Sequence, residues 1–212
     1  MSSSGSESGV TGTLVLISFR PNNVYSLKLF QRVVEDTKQN YPVICQWYGM
    51  TIEKPRSLYW YIATDTTLSA TPTSGLKNSL SSLTDEEPVA FAMTTHRALP
   101  PVLRSPITVI AIMDVADGQP DSVAEDMINH TADMQHKMPG FFAWTYGLTE
   151  NRRRAVYMGG WESMEDHVDL ASFGREEDTE FVQAAEETFS FFSAVRIRHV
   201  EFKEEATENF SE

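Results

Sequence analysis

The residues of this 212-residue chain that are best suited to acid–base chemistry are histidines and tyrosines between positions 130 and 167. His130 comes three residues after Met127 and four before Met134, close to the apolar stripe of a predicted helix. We therefore expect its imidazole to point toward a sheet, where it can act as a general base or orient a substrate carbonyl. A histidine that is hydrogen-bonded at the edge of the core is the alternative.

His167 is the second candidate base, in the first turns of a helix predicted to follow Trp161-Glu162-Ser163. A surface position on that helix is the alternative. The five histidines form no H-x-x-x-H or H-E-x-x-H motif, and the chain contains no phosphate loop and no dinucleotide fingerprint. We therefore predict that no metal and no cofactor is bound, although haem or zinc held by ligands remote in sequence stays open.

Aromatic side chains cluster on two neighbouring predicted strands. Trp144 and Tyr146 share one parity, and Tyr157 and Trp161 share a parity in the next strand. If these faces line a pocket, they form a flat wall for a planar substrate, and tyrosine hydroxyls can hydrogen-bond a phenol or ketone. Core packing is the alternative, and it is favoured for Trp161. The candidate catalytic residues are thus His130, Tyr146 and His167, and the candidate substrate-binding residues are Trp144, Tyr157 and Phe142.

The elements that must position these side chains follow from the hydrophobic pattern. The first half of the chain predicts strand, helix, strand, strand, broken helix and strand over residues 13–19, 27–37, 41–51, 58–64, 66–87 and 88–95. The strand 13–19 is almost continuously apolar, which is typical of burial on both faces. Three prolines within residues 99–106 then interrupt the pattern, because proline is excluded from the interior of helices and central strands.

The same order of elements repeats after residue 106. A strand over 107–113 precedes a helix that begins at Asp121 or Ser122, where Ser122 and Glu125 match a capping box. That helix ends at Pro139-Gly140. The remaining predicted elements are two strands around the turn 149–154, helices from near Ser163 and Asp178, and a strand over 192–202.

Residue identities at corresponding places indicate a duplication. Three pairs are related by a shift of 97 or 98 positions: Trp47 and Trp144, Gly49 and Gly147, and Tyr59 and Tyr157. We therefore predict a disordered leader (1–11), a first, divergent ferredoxin-like repeat (12–98), a Pro-rich linker (99–106), a second repeat (107–202) and an acidic tail (203–212).

The predicted unit implies a particular fold. A strand-helix-strand-strand-helix-strand unit forms a four-stranded antiparallel sheet with helices on one face. Such a sheet leaves its second face bare, whereas the near-continuous apolar strands need cover on both sides. We therefore predict an α+β fold in which two ferredoxin-like βαββαβ repeats pack sheet to sheet as a fused, pseudo-dimeric α+β barrel.

The second repeat resembles the dimeric α+β barrel superfamily, in particular the antibiotic-biosynthesis-monooxygenase-like (ABM-type) domains. The residues that carry the resemblance are Pro139-Gly140-Phe141, Tyr146-Gly147, and Tyr157 leading into Trp161-Glu162-Ser163 and His167. The first repeat lacks the Trp-Glu-Ser. The resemblance implies a ligand pocket between sheet and helices. It also implies one of several activities: cofactor-independent oxygenation of polycyclic aromatic ketides, isomerisation, decarboxylation or haem degradation.

The composition of the chain limits which binding partners and which compartment we expect. A net charge of −13 disfavours attraction to nucleic acid and to anionic lipid. No stretch approaches the roughly 20 apolar residues of a membrane span. The single cysteine, Cys45, fits a reducing compartment, so we predict a cytoplasmic protein. The predicted partners are a small aromatic substrate and, at the level of assembly, a second copy of the fused barrel.

The function predicted from these features is that of a cofactor-independent, monooxygenase-like enzyme. Its substrate is predicted to be an aromatic or polyketide-type small molecule of secondary metabolism. Two alternatives stay open at this stage. One is a non-catalytic, small-molecule-binding or stress-associated barrel protein, and the other is a decarboxylase, isomerase or cyclase on the same fold.

Overall fold

The computed structural model describes residues 13–65, 73–97, 99–173 and 179–205. The first repeat contains β1 (Thr13–Phe19), α1 (Leu27–Asn40), β2 (Val43–Thr51), β3 (Leu58–Thr64), α2 (Thr73–Ser79) and β4 (Val89–Thr95). The rest contains α3 (Pro100–Leu103), β5 (Ile107–Val115), α4 (Asp121–Gln135), β6 (Phe141–Leu148), β7 (Arg154–Trp161), α5 (Met164–Phe173), α6 (Thr179–Phe191) and β8 (Phe192–Glu205). The predicted leader and residues 206–212 lie outside the described ranges, and β8 extends three residues into the predicted tail.

The strands form one closed antiparallel barrel in the order β1-β3-β2-β8-β5-β7-β6-β4. Each repeat contributes four neighbouring strands in the ferredoxin-like order, β4-β1-β3-β2 in the first and β8-β5-β7-β6 in the second. The two sheets meet at unequal seams, because β2 and β8 align over six residue pairs and β4 and β6 over two. The predicted α+β class and fused barrel are confirmed.

Strand β1 is apolar because both of its faces are buried. Leu14 and Leu16 point into the barrel, whereas Val15 and Ile17 pack under α1 and α2 on the outside. Parity along the strand therefore separates two hydrophobic cores, which explains the apolar run from Leu14 to Ile17. Helix α1 is held in place by Ser26, whose Oγ accepts a hydrogen bond from the Leu29 backbone N–H at 3.3 Å.

The predicted linker contains a short helix that packs into the barrel. Leu99, Val102 and Leu103 belong to the interior core. Pro100 and Pro101 occupy the first positions of α3, where a missing backbone N–H costs nothing. Gly160 makes room for the segment, since a Cβ there would lie 2.0 Å from the Oγ of Ser105. The proline-rich segment is therefore a plug, meaning that its apolar side chains fill part of the barrel interior.

In two of the three proposed pairs, Trp47 with Trp144 and Tyr59 with Tyr157, the two residues lie on opposite faces of their sheets. Gly49 and Gly147 both face the barrel interior, where each lies against a core side chain. Trp47 also faces the interior, but Trp144 packs on the outer, helix-covered face. The register confirms the difference, because Gly49 pairs with Tyr59 whereas Gly147 pairs with Val156. A one-residue offset exchanges the faces, so Trp144 and Tyr157 correspond structurally to Gln46 and Trp60.

The predicted capping box of α4 is wrong. The helix begins at Asp121 after Pro120, and no side chain caps its first turn by a hydrogen bond. Ser122 lies inside the helix and is exposed. Within the described part of the chain, none of the helices has a stretch long and apolar enough to cross a membrane.

Candidate functional site

A cavity of about 90 Å³ lies between the outer face of the second sheet and helices α4 and α6. Its floor is apolar and comes from strands β5 and β8. Its walls carry a small number of polar groups, which is the usual composition of a small-molecule site. The lining residues are Val109, Ala111, Met113, Ile128, Thr131, Ala132, Gln135, Tyr157, His167, Thr188, Phe189 and Ile197.

Tyr157 supplies the cavity with a positioned phenol. Its hydroxyl donates a hydrogen bond to the Oε1 of Gln135 at 2.5 Å. Burial raises the pKa of Tyr157, so the phenol stays protonated at neutral pH. Gly159 allows this position, because a Cβ there would lie 3.0 Å from the Tyr157 hydroxyl oxygen. A second hydrogen bond joins helices α4 and α6, where the Oγ1 atoms of Thr131 and Thr188 lie 2.8 Å apart.

The Trp-Glu-Ser segment sets the start of α5 and thereby the place of His167. The Oγ of Ser163 accepts a hydrogen bond from the Asp166 backbone N–H at 3.1 Å and donates one to the Asp166 carboxylate at 2.6 Å. Gly140, with φ +75°, lies against the same carboxylate, and its carbonyl accepts the Glu162 N–H at 2.7 Å. The Pro139-Gly140 turn and the Trp161-Glu162-Ser163 segment are therefore in contact at the start of α5.

His167 is the end of a hydrogen-bonded chain of three residues, which we call the relay: Glu53, His199 and His167. Nε2 of His199 lies 2.9 Å from Nδ1 of His167. Nδ1 of His199 lies 2.5 Å from the Glu53 carboxylate, and its backbone N–H also donates to that carboxylate at 3.1 Å. His199 is 8% exposed.

The order of protons along the relay follows from its acceptor end. An ionised carboxylate only accepts, so Nδ1 of His199 carries a proton. When the His199 ring is neutral, its Nε2 is an acceptor and takes the proton donated by Nδ1 of His167. In this arrangement Nε2 of His167 keeps its lone pair.

The pKa shifts indicate the charges at the two ends of the relay. Burial, followed by the proximity of His199, lowers the pKa of His167 to about 4, so its imidazole is neutral at pH 7. Burial alone would raise the pKa of Glu53, but hydrogen bonds from the side chain and backbone of His199 lower it below its ordinary value. Glu53 is therefore ionised.

The relay is not arranged as a metal site. Two nitrogens on one tetrahedral zinc ion lie about 3.3 Å apart, given Zn–N bonds of roughly 2.0–2.1 Å. The facing nitrogens of His199 and His167 are 2.9 Å apart, which is a hydrogen-bonding distance. Within the described ranges, the acidic, histidine and cysteine side chains form no group of three that could hold a metal ion.

His130 does not point toward the sheet, and that prediction is wrong. Its side chain is exposed on the outer face of α4. The buried stripe of the helix is formed by Ala124, Ile128 and Ala132 instead. His130 is therefore not brought together with the cavity or with His167.

Trp144 and Tyr146 form an aromatic row beside the cavity. Their rings are stacked at 6.3 Å, the guanidinium of Arg97 lies 3.8 Å over Trp144, and His96 stacks on Tyr146 at 4.8 Å. The Tyr146 hydroxyl is enclosed near Asn129 without hydrogen-bond geometry to a described partner, and burial raises its pKa. These two predicted site residues face the helix side as expected, but other side chains cover them.

Phe142 lies away from the other candidate residues. Its side chain is 52% exposed, next to an irregularity in the pairing of β6 with β7. Phe141 packs inward instead, with its ring 5.0 Å from that of Trp161. Of the six predicted site residues, the structure thus places Tyr157 and His167 at the cavity.

Glu53, His199 and Gln135 were not among the predicted site residues. Glu53 and His199 are 146 residues apart and belong to different repeats, so only closure of the barrel brings them together. Gln135 is a polar residue at the end of the buried stripe of α4, and helical spacing from Ile128 and Ala132 is the one pattern that points to it.

Similar folds are known, although no protein-family model and no curated protein matches the chain. A provisionally assigned monooxygenase from Fusobacterium nucleatum is 10% identical, with a TM-score of 0.63 over 93% of this chain and 95% of its own. An anthrone oxidase-like protein is 10% identical, with a TM-score of 0.64 over 92% and 93%. A protein described as a major regulator of staphylococcal pathogenesis, also 10% identical, has a TM-score of 0.54 over 88% and 98%.

These similarities define the class of fold. The chain has the fused α+β barrel fold of monooxygenase-like proteins, as the resemblance of residues 139–167 predicted. The coverage of more than nine tenths of both chains by the two monooxygenase-like structures extends the likeness to the tandem arrangement. Identity at this level shows the fold alone.

Proposed function

We propose that this protein is a cofactor-independent, monooxygenase-like enzyme that oxidises an aromatic or polyketide-type small molecule of secondary metabolism in the cavity of the second repeat. One observation carries the proposal: His167, whose imidazole is neutral at pH 7, lines an apolar cavity and is hydrogen-bonded through Nδ1 to His199. Such a group has a lone pair for the proton of a bound carbon acid or phenol, and proton transfer to it requires a nearby negative charge, since its lowered pKa makes it a weak base.

The proposed reaction uses dioxygen as its co-reactant. His167 removes a proton from an activated methylene next to aromatic rings, and the resulting carbanion reduces dioxygen to give a carbon-bound peroxide. Loss of the second methylene hydrogen as a proton breaks the O–O bond. The methylene becomes a carbonyl in a four-electron oxidation, one oxygen atom enters the product and the other leaves as water. The protein supplies a dry pocket, a base and a hydrogen bond.

Tyr157 is proposed to hold the substrate. Its phenolic oxygen donates to Gln135 and keeps lone pairs for a substrate hydroxyl. The cavity of about 90 Å³ is smaller than the roughly 150 Å³ that hold a benzene ring, so substrate binding requires it to widen. Phe189 lines it and is 45% exposed, so rotation of this side chain opens the site to larger substrates.

The second repeat is the proposed seat of the reaction because the equivalent position of the first repeat is filled. Trp60 corresponds to Tyr157 and is fully buried. Its Nε1 donates to the Oε1 of Gln46 at 2.9 Å, and Gln46 in turn donates to the Val34 carbonyl at 3.2 Å. The first repeat thus uses this face as core, and divergence of one copy leaves a single site.

Turnover of a panel of anthrones, phenols and aromatic ketones under oxygen and under argon tests the proposal. We expect oxygen-dependent turnover by the wild type, loss in His167→Ala, and full activity in His130→Ala, the matched control on the outer face of α4. Turnover that is equal under argon indicates isomerisation, decarboxylation or cyclisation and contradicts the oxygenase. Saturable binding of the panel without any turnover contradicts catalysis and supports the binding protein.

A further inference from the structure

We propose that Glu53 and His199 are positioning residues that fix the tautomer of His167, so that the first repeat completes the reactive site of the second. This inference rests on the proposed function for its catalytic consequence, while the tautomer itself is measurable without substrate. Neither residue lines the cavity. They act through His167.

The geometry of the long seam brings Glu53 to the site. Strand β2 pairs with β8 up to Thr51 opposite Val200, and the Ile52 backbone N–H then donates to the His199 carbonyl at 2.9 Å. The start of the β2–β3 turn, which includes Glu53, is thereby fixed beside His199. The two repeats therefore share more than a sheet: they share a hydrogen-bonded chain that starts in one and ends in the other.

The carboxylate is committed to His199. It accepts the backbone N–H at 3.1 and 3.3 Å and the ring Nδ1–H at 2.5 Å. The His199 side chain is 10% exposed and that of Glu53 is 33% exposed, so water competes little for the ring nitrogens. A backbone donor anchors the carboxylate, and the anchored carboxylate holds the imidazole in one tautomer.

The relay has a defined role when His167 accepts a proton. The proton from the substrate binds Nε2 of His167, and the Nδ1–H of the same ring continues to donate to His199. No proton leaves the relay. The positive charge of the imidazolium is opposed by the Glu53 carboxylate through His199, and the proton returns from Nε2 to the departing oxygen. A carboxylate that orients a histidine in this manner is known from serine proteases, where the amide variant produces the wrong tautomer.

The direct test is the protonation of the ring nitrogens of His167, measured by NMR on the full chain with 15N-labelled histidine near neutral pH. The wild type is expected to show a protonated Nδ1 and an unprotonated Nε2. Glu53→Ala removes the acceptor of the Nδ1–H of His199, so the proton order is no longer fixed and Nε2 of His167 becomes protonated in part of the molecules. Glu201→Ala is the matched control, because it removes an exposed carboxylate from the same strand as His199. The same tautomer in Glu53→Ala and the wild type would overturn the relay.

Turnover separates the two proposals. Where the wild type has activity, we expect Glu53→Gln to lose at least about tenfold in kcat with KM little changed, and Glu201→Gln to lose nothing. Unchanged kcat in Glu53→Gln refutes the catalytic consequence and leaves the proposed function standing. An inactive wild type refutes the proposed function, and the tautomer then still decides the relay. Glu53→Asp, which keeps a carboxylate, is expected to retain more activity than Glu53→Gln, and Glu53→Ala serves if Glu53→Gln does not fold.

Discussion

The hydroxyl of Tyr157 lies 2.5 Å from the Oε1 of Gln135, which joins strand β7 to the last turn of α4 across the cavity. This contact fixes the depth of the pocket, because α4 cannot move away from the sheet without breaking it. It also turns the phenol toward the helix. The lone pairs of its oxygen are left for a ligand.

Replacement of Tyr157 by Phe removes this contact. The Gln135 carbonyl then loses its partner in a partly buried place, so we expect the free energy of unfolding to fall by about 1–2 kcal/mol. We also expect KM for a phenolic substrate to rise more than kcat falls. Urea unfolding and steady-state kinetics measure the two effects. An unchanged KM would remove Tyr157 from the binding site.

Trp144 and Tyr146, the aromatic row, are expected to have no direct role in substrate binding. Arg97 and His96 cover Trp144 and Tyr146, and neither ring lines the cavity. Tyr146→Phe is therefore expected to leave kcat and KM unchanged, whereas Tyr157→Phe changes KM. Kinetics of the two variants with one substrate distinguish the sites. A larger effect at Tyr146 would restore the aromatic wall that the sequence predicts.

Acid destabilises the protein through His167. Its pKa is about 4 in the folded chain and about 6.5 when unfolded, so between these values the unfolded chain binds the additional proton. Stability is complete above the unfolded pKa and declines as the pH falls through this window, by about 2 kcal/mol at about pH 5. The lowered pKa of Glu53 acts in the same direction at still lower pH.

Urea unfolding of the wild type and His167→Gln near pH 7.5 and pH 5 tests this dependence. We expect the difference between the two pH values to shrink in His167→Gln. His130→Ala is the control, because its exposed ring is removed without changing the relay. An equal pH dependence in wild type and His167→Gln would show that His167 titrates normally.

The plug formed by α3 contributes to the stability of the barrel. Leu103 is 1% exposed in the interior core, so Leu103→Ala is expected to lower the free energy of unfolding by about 2–4 kcal/mol. Leu27→Ala is the matched control, since Leu27 is 46% exposed at the start of α1, and its effect should be below about 1 kcal/mol. Equal effects of the two substitutions would show that residues 99–106 are a linker without a role in the core.

Much of the fold was accessible from the sequence because burial on both faces leaves a simple pattern. Strand β1 is observed at Thr13–Phe19, where the continuous apolar run predicted it. The phase of α4 was not accessible in the same way. Met127 and Met134 suggested a stripe, but the helix approaches its neighbours with Ala124 and Ala132. Small residues mark close packing, whereas long methionine side chains reach the core from the edge of a helix.

The candidate site could likewise be predicted only where its contacts leave a pattern in the sequence. The position of His167 has a sequence pattern, because Ser163 caps the start of α5 and the Pro139-Gly140 turn lies against the same turn of the helix. The partners of His167 are non-local. Glu53 and His199 meet only when β2 pairs with β8, and a lone acidic residue in a turn carries no sign of it.

The central claim is that Nε2 of His167 accepts the substrate proton, and chemical rescue tests it most directly. The rate of oxygen-dependent product formation is measured for His167→Ala with increasing free imidazole. We expect the variant to be inactive alone and to regain activity in proportion to imidazole, while the wild type and Tyr157→Phe do not respond. Full activity of His167→Ala without imidazole would contradict the claim.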